Sequence, residues 1–183
     1  MGGVNGAEAL KALYALQEKD LEIDRLRAEA ESLPEELVAL QGQVETLEER
    51  LTNLLERRAE LEREYNRHSL DIEDLSAKEK QAEEEQKRAQ SAREQTQYEN
   101  RIQQIKDRIR ELLELSTPIM EAMENLEAEI AQVEEELAAL RPRLQELLEA
   151  NRARVAELEA AIAAKVEERT AMAAAIPAQI LKE

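Results

Sequence analysis

The residue best suited to metal or acid–base chemistry is His68, the only histidine in the chain. Glu64 precedes it by four residues, so a helix would place this carboxylate and the imidazole on one face. A structural zinc site needs about four ligands, and two ligands on one helix would need others from elsewhere. We therefore expect His68 to be a structural residue at a helix interface, and we expect no metal or cofactor within these residues.

Three other polar residues, Arg58, Ser116 and Asn151, fall at positions where the surrounding pattern is apolar. Arg58 is expected to pack its aliphatic stem and extend its guanidinium to solvent, with a functional cation as the alternative. Asn151 is expected to fix the register between helices. No nucleophile–base pair or Gly-rich phosphate loop accompanies them, and the carboxylates are spread along polar faces. We expect no enzymatic activity.

Composition restricts the possible partners. The net charge is −17 and aromatic residues make up 2% of the chain, so nucleic acids and anionic membranes would be repelled by most of the surface. The chain has no cysteine, which excludes a disulfide framework or thiolate metal site. No apolar run is long enough to cross a bilayer and no secretion signal is recognisable, so we expect a cytoplasmic protein.

Two stretches carry the apolar a and d positions of a coiled coil for many consecutive heptads. The first stretch comprises two series: Leu26, Leu33, Leu40, Leu47, Leu54, Leu61, His68, Leu75 and Ile23, Ala30, Leu37, Val44, Leu51, Arg58, Tyr65, Ile72. The second comprises Tyr98, Ile105, Leu112, Ile119, Leu126, Val133, Leu140, Leu147 and Ile102, Ile109, Ser116, Met123, Ile130, Leu137, Leu144, Asn151, Leu158. Beyond Leu148 the pattern shifts, which indicates a stutter.

The predicted fold is all-α: a long antiparallel coiled-coil helical hairpin with proline kinks. Large apolar residues are missing from residues 76–97, where we place a polar tip. The predicted organisation is a flexible N-terminus (1–6), a hairpin (7–175) with helix 1 over about 7–88 and helix 2 over about 92–175, and a C-terminal tail (176–183).

The register of the hairpin is predicted by aligning irregular positions. Pairing residues whose numbers add up to about 174 keeps both seams apolar. This register places Arg58 opposite Ser116 and brings Pro34 within about a turn of Pro142, where we expect a joint with matched kinks. Pro34 and Pro118 are each expected to mark a point where a helix restarts, and Thr117 is expected to be the N-cap of the restart at Pro118.

The N-terminal third resembles the opening of bacterial C4-type zinc-ribbon proteins. The matching landmarks are Leu13, Leu16-Gln17, Asp20, Ile23-Asp24-Arg25-Leu26 and Leu33-Pro34. The stretch SAREQTQYENRIQQIKDRIRELLEL is similar to the start of that family's second helix, and VEERTAMAAAIPAQILKE is similar to the segment leading into its ribbon. The resemblance implies a helical hairpin followed by a zinc ribbon with two Cys pairs, roles in nucleic-acid binding or as adaptors, and in some members an association with flagellar or type III secretion machinery.

No cysteine is available here, so zinc is expected only in a ribbon beyond Glu183, and nucleic acid only through that ribbon. We therefore predict a non-enzymatic adaptor or scaffold arm with a protein partner. The alternatives are a purely structural coiled coil, either a parallel dimeric rod or an arm of a chromosome-maintenance-type ATPase, and a translation module with an RNA-binding tip. Apolar residues near Leu10 and Tyr14 leave homodimerisation open.

Overall fold

The computed structural model describes residues 6–176 of the chain. It contains three α-helices: α1 (Gly6–Glu31), α2 (Glu35–Lys87) and α3 (Ala92–Ala174). No strand occurs among the described residues. α1 and α2 run antiparallel to α3, which confirms the predicted all-α coiled-coil hairpin.

The element bounds differ from the predicted organisation at three places. Gly6 already belongs to α1, and residues 1–5 of the expected N-terminal segment lie outside the described part. Predicted helix 1 consists of two helices, because residues 32–34 separate α1 from α2. In the expected C-terminal tail, Ile176 is buried, and residues 177–183 lie outside the described part.

The described chain divides into two compact units. Unit 1 combines residues up to Val44 with residues from Ala139 onward, so α1 and the start of α2 pack on the end of α3. Unit 2 comprises Glu45–Ala138, in which the rest of α2 packs on the first half of α3.

The core of each unit is the predicted heptad seam. Every predicted a and d residue is buried or half-buried except Leu33, which is 50% exposed because it lies in the break between α1 and α2. The most deeply buried side chains are leucines of this seam: Leu37, Leu112 and Leu137. Each fully buried leucine contributes about 1.5–3 kcal/mol, so packing along a narrow seam accounts for the stability of helices this long.

Only one of the three described central prolines interrupts a helix. Pro34 precedes α2, and its carbonyl accepts a hydrogen bond from Val38 N at 3.1 Å. Pro118 and Pro142 both lie within the uninterrupted α3, so the restart expected at Thr117 is wrong. Thr117 does not cap a helix; its hydroxyl donates to the Leu113 carbonyl at 3.1 Å, as a threonine inside a helix can.

The chain reverses between Lys87 and Ala92 through a capping motif. Ser91 Oγ accepts a hydrogen bond from Glu94 N at 3.1 Å, and Glu94 Oε2 accepts one from Gln90 N at 3.1 Å. The sequence Ser-Ala-Arg-Glu is therefore a variant of the capping box: Ser91 accepts from the Glu94 amide as in the standard motif, and Glu94 accepts from Gln90, one residue before the N-cap. This local signal marks the reversal inside the predicted polar tip.

The predicted register is wrong by more than one heptad. Arg58 Nη2 donates to Glu127 Oε1 at 2.9 Å, so it does not lie opposite Ser116. Around Pro34, Ser32 accepts a hydrogen bond from Arg154 of α3 and Glu36 pairs with Arg143, the residue after Pro142, so the predicted meeting of the two prolines stays a prediction. A shift by whole heptads, or one that also exchanges which of the two seam series face each other, keeps apolar residues in the seam, so periodicity alone does not select among these alignments. The position of the capped reversal selects the register.

Candidate interaction surfaces

Unit 1 contains an arginine clamp at the C-terminal end of α1. Arg154 Nη1 donates to the Glu29 carbonyl at 2.8 Å, and Nη2 donates to the Ser32 carbonyl at 2.6 Å. Asn151 Oδ1 accepts from Arg154 Nε at 3.3 Å and Nη2 at 3.0 Å, and so holds the guanidinium in place. The last carbonyls of a helix lack partners within it and carry partial negative charge, so a cation stabilises this end. Asn151 therefore orients Arg154; its predicted role in register stays a prediction.

A second feature of unit 1 is a charge network between α1 and α3. Lys19 Nζ contacts Glu168 at 2.8 Å and Glu22 at 3.4 Å, and Lys165 Nζ contacts Glu22 at 3.3 Å. The hydrogen bond to Glu168 raises the pKa of Lys19, and the hydrogen bond from Lys19 lowers the pKa of Glu168. The hydrogen bond from Lys165 lowers the pKa of Glu22. These alternating charges link the two helices on the solvent side of the seam.

Near the break, Glu36 and Arg143 form a further ion pair within unit 1. Arg143 Nη2 donates to Glu36 Oε1 at 2.8 Å, and this bond is the main cause of the raised pKa of Arg143. Pro142 itself, the residue next to Arg143, lies on an exposed position of α3. The ion pair between Glu36 and Arg143 thus lies close in sequence to both Pro34 and Pro142. The predicted kinks at the two prolines stay a prediction.

The exposed part of unit 1 includes an apolar stripe on α1. Leu10 is 68% exposed, Tyr14 is 65% exposed and Leu21 is 55% exposed. Tyr14 and Leu21 line a shallow depression together with Gln17 and Arg25. The apolar surface expected near Leu10 and Tyr14 is thus only partly exposed for contacts with a second copy, because the neighbouring Leu16 is buried against α3.

In unit 2, Arg58 occupies a seam position and reaches outward. Its guanidinium forms an ion pair with Glu127, and its side chain is 40% exposed. The aliphatic stem therefore packs at the seam while the charged group reaches solvent. Arg58 Nε, however, is buried and makes no hydrogen bond with any described residue. A buried donor without a partner costs free energy.

His68 is partly buried at its seam position, with Nε2 at 4.0 Å from Glu64 Oε1. Within residues 6–176, no group of three or more His, Cys, Asp or Glu side chains could hold a metal ion. The Glu64–His68 contact is a single pair along one helix, and the structural role of His68 stays a prediction.

Ser116 lies beneath an apolar groove of unit 2. Its side chain is buried, and its hydroxyl donates to the Leu112 carbonyl at 2.8 Å. The groove above it holds about 300 Å³ between α2 and α3, and its apolar walls come from Tyr65, Ile72, Leu113 and Met120. We call this depression the Tyr65–Met120 groove.

A second depression of about 220 Å³ continues the Tyr65–Met120 groove toward Glu124. The two depressions share Tyr65 and Met120, and the second adds Met123, Glu124 and Glu127. Leu113 is 53% exposed and Met120 is 48% exposed, although both belong to the groove wall. The groove thus has an apolar end and an acidic end.

Sequence reasoning missed the residues that make these surfaces. Arg154 and Lys19 looked like ordinary solvated charges, because their partners lie more than a hundred positions away in the chain. Leu113 and Met120 lie just outside the a and d positions, and this offset from the seam is the signal that could have identified them. In the described helices, no stretch combines the length and apolarity needed to cross a membrane.

Comparison with known proteins relates the chain to other helical hairpins. A family model described as a CT398-like coiled coil hairpin domain matches residues 16–183. A structurally characterised protein from Mycobacterium smegmatis shares 24% identity with a TM-score of 0.75, over 95% of this chain and 73% of that one. The HP0958 protein from Helicobacter pylori shares 16% identity with a TM-score of 0.68, again over 95% and 73% of the two chains. No curated protein sequence matches significantly. At these identities the two structures establish a common fold.

Proposed function

Because the chain belongs to the CT398-like coiled coil hairpin domain family, we propose that it is a non-enzymatic adaptor arm that binds a protein partner. The observation that carries this proposal is the exposure of large apolar side chains, all except Leu33 outside a seam that is already closed. They are Leu10, Tyr14, Leu21, Leu33, Val38, Leu55, Leu70, Leu113, Leu115 and Met120. Grouped apolar surface of this kind is typical of interaction sites.

The zinc-ribbon part of the resemblance belongs to the same proposal. A ribbon beyond Glu183 would supply the zinc and the nucleic-acid contacts, and the hairpin would supply the protein contact. The net charge of −17 supports this division of roles, since a surface this acidic repels nucleic acid. We place the protein in the cytoplasm, and an association with flagellar or secretion machinery would give the arm its protein partner.

A purely structural coiled coil is the competing function. A parallel dimeric rod would need the heptad seam for a second chain, whereas α1 and α2 here use it to pack on α3. The remaining exposed stripe at Leu10 and Tyr14 could still join two copies of the hairpin. A structural role thus predicts contacts between copies, and an adaptor predicts contacts with another protein.

Site-specific photocrosslinking in the native cell separates these functions. A photoreactive amino acid is placed at exposed apolar positions (Leu10, Leu113) and at an exposed polar control position (Glu135). The adaptor function predicts a discrete adduct with another protein from an apolar position and none from Glu135, followed by a measurable Kd with that purified partner. Adducts only between two copies of the chain would instead establish the structural function.

A further inference from the structure

The α3 wall of the Tyr65–Met120 groove lies in an acidic stretch, whereas the facing part of α2 carries both acidic and basic residues. From Glu111 to Ala138, α3 carries nine glutamates and no Lys, Arg or His. The only described ion pair from this stretch to α2 joins Glu127 to Arg58, at 2.9 Å. Glu124 lies at the acidic end of the groove, next to Met120 and Met123. The groove therefore presents apolar side chains beside Glu124 and Glu127, within an acidic stretch of α3.

The hydroxyl groups on the α3 side of the groove are already hydrogen-bonded within the helix. Ser116 donates its hydroxyl proton to the Leu112 carbonyl, and Thr117 donates its own to the Leu113 carbonyl. Both hydroxyls are used within α3, so the surface offered to a ligand is mainly that of Tyr65, Leu113 and Met120. Methionine adapts its shape to different apolar partners, which suits a protein-binding surface.

Helical spacing defines the shape of the matching surface. Leu113, Thr117, Met120 and Glu124 are separated by four, three and four residues, so they form one continuous stripe along α3. Tyr65 and Ile72 of α2 border this stripe from the other side. A third helix that lies in the groove between two helices could place its own apolar residues against this stripe, as in helix-in-groove recognition.

We propose that the Tyr65–Met120 groove binds a cationic amphipathic helix of a partner protein. This inference rests on the adaptor function proposed above. The apolar face of such a helix packs on Tyr65, Leu113 and Met120, while its Lys or Arg residues meet Glu124 and the neighbouring glutamates of α3. Attraction between opposite charges accelerates encounter and selects against acidic helices.

Charge also argues against other molecules that could occupy the groove. A second copy of this chain carries the same net charge of −17, so its approach to this face is opposed. Nucleic acids and anionic lipid surfaces are repelled for the same reason. A cationic helix is the partner whose charge and periodicity both match the groove.

The test uses the full chain and a synthetic amphipathic helix of about three heptads, with Leu at a and d and Lys elsewhere. Binding is measured by fluorescence anisotropy against two control peptides: one with Glu replacing Lys, and one with the Leu and Lys order scrambled. The wild-type chain is expected to bind the Leu/Lys helix most tightly, and added salt is expected to weaken this binding.

Paired variants locate the binding surface. Leu113→Gln with Met120→Gln removes the apolar wall of the groove, and Leu70→Gln with Leu115→Gln removes the same number of exposed apolar residues elsewhere in unit 2. We expect the groove variant to weaken binding about tenfold or more and the control variant by less than about twofold. Likewise, Glu124→Gln is expected to weaken binding more than Glu135→Gln, which changes the net charge equally.

Circular dichroism checks that each variant keeps the helical content of the parent. We expect no change in helical content, because all substituted positions are exposed. Equal loss of affinity in the groove and control variants would refute the groove as the binding site. Binding of the Leu/Glu peptide as tightly as the Leu/Lys peptide would refute the cationic partner. Neither result affects the photocrosslinking test, so a protein partner captured at Leu10 would preserve the adaptor function while this inference fails.

Discussion

Removal of the arginine clamp at the end of α1 tests whether a long-range contact stabilises unit 1. Arg154→Met keeps most of the aliphatic stem but loses the hydrogen bonds to the carbonyls of Glu29 and Ser32, at 2.8 and 2.6 Å. Each bond from a charged donor contributes up to about 1.5–3 kcal/mol, less where water can replace it. Since both contacts are solvent-exposed, we expect a total loss of about 1–2 kcal/mol.

Hydrogen exchange gives the local measurement. The amides of the last turn of α1 should exchange about 5–30-fold faster in Arg154→Met, because this is the factor that corresponds to 1–2 kcal/mol. Amides of α2 in unit 2, for example around Leu61, should keep their exchange rates. Arg152→Met is the matched control, since Arg152 is an exposed arginine two residues away.

A double-mutant cycle then tests whether Asn151 acts through Arg154. Asn151 Oδ1 accepts two hydrogen bonds from the guanidinium, so removing either partner should remove part of the same interaction. We expect a coupling energy of at least about 0.5 kcal/mol between Asn151→Leu and Arg154→Met. Additive effects would refute the role of Asn151 in orienting Arg154, and unchanged exchange at the end of α1 in Arg154→Met would refute the clamp itself.

Three further predictions concern the reversal, the charge network and the seam. Ser91→Ala should lower the stability of α3 by about 1 kcal/mol through loss of its N-cap, measured by urea denaturation, and no change would exclude a contribution from the capping box. Glu22→Gln with Glu168→Gln should lower Tm at pH 7, because both carboxyl groups have lowered pKa values and stabilise the fold when ionised. That difference should shrink as the pH falls below the usual glutamate range and vanish once the pH is below the lowered pKa values of both groups, where the wild-type carboxylates are protonated as well; a difference that persists in stronger acid would contradict the ion pairs as its cause. Arg58→Met should leave the urea midpoint unchanged or raise it, since it removes a buried donor without a partner, and a loss above about 1 kcal/mol would show that the Glu127 pair outweighs that cost.

Several structural features could be predicted from the sequence because their causes are local. The a and d positions follow from periodicity, and the most deeply buried side chains, Leu37, Leu112 and Leu137, are all predicted seam residues. The break before Pro34 follows from the chemistry of proline. Proline alone does not predict a helix break, since Pro118 and Pro142 both lie within α3, which continues without interruption on either side of each proline.

The candidate surfaces depended on contacts between distant residues. The Tyr65–Met120 groove forms only after α2 and α3 pack in one register, because the offset of Met120 from the seam does not show which α2 residues lie opposite it. The clamp is similar: Arg154 meets carbonyls of Glu29 and Ser32, which carry no side-chain signal in the sequence.

The sequence by itself therefore determined the phase of each helix: which residues face the seam, including the half-buried His68 and the buried Ser116. The tertiary structure alone decided the register, which places Arg58 against Glu127 and not opposite Ser116. The physical reason is that a heptad repeat looks the same after each shift of seven residues, so many registers bury the same seam. The capped reversal at Ser91 and the contacts of Arg154 remove this degeneracy, because each of them fits only one register.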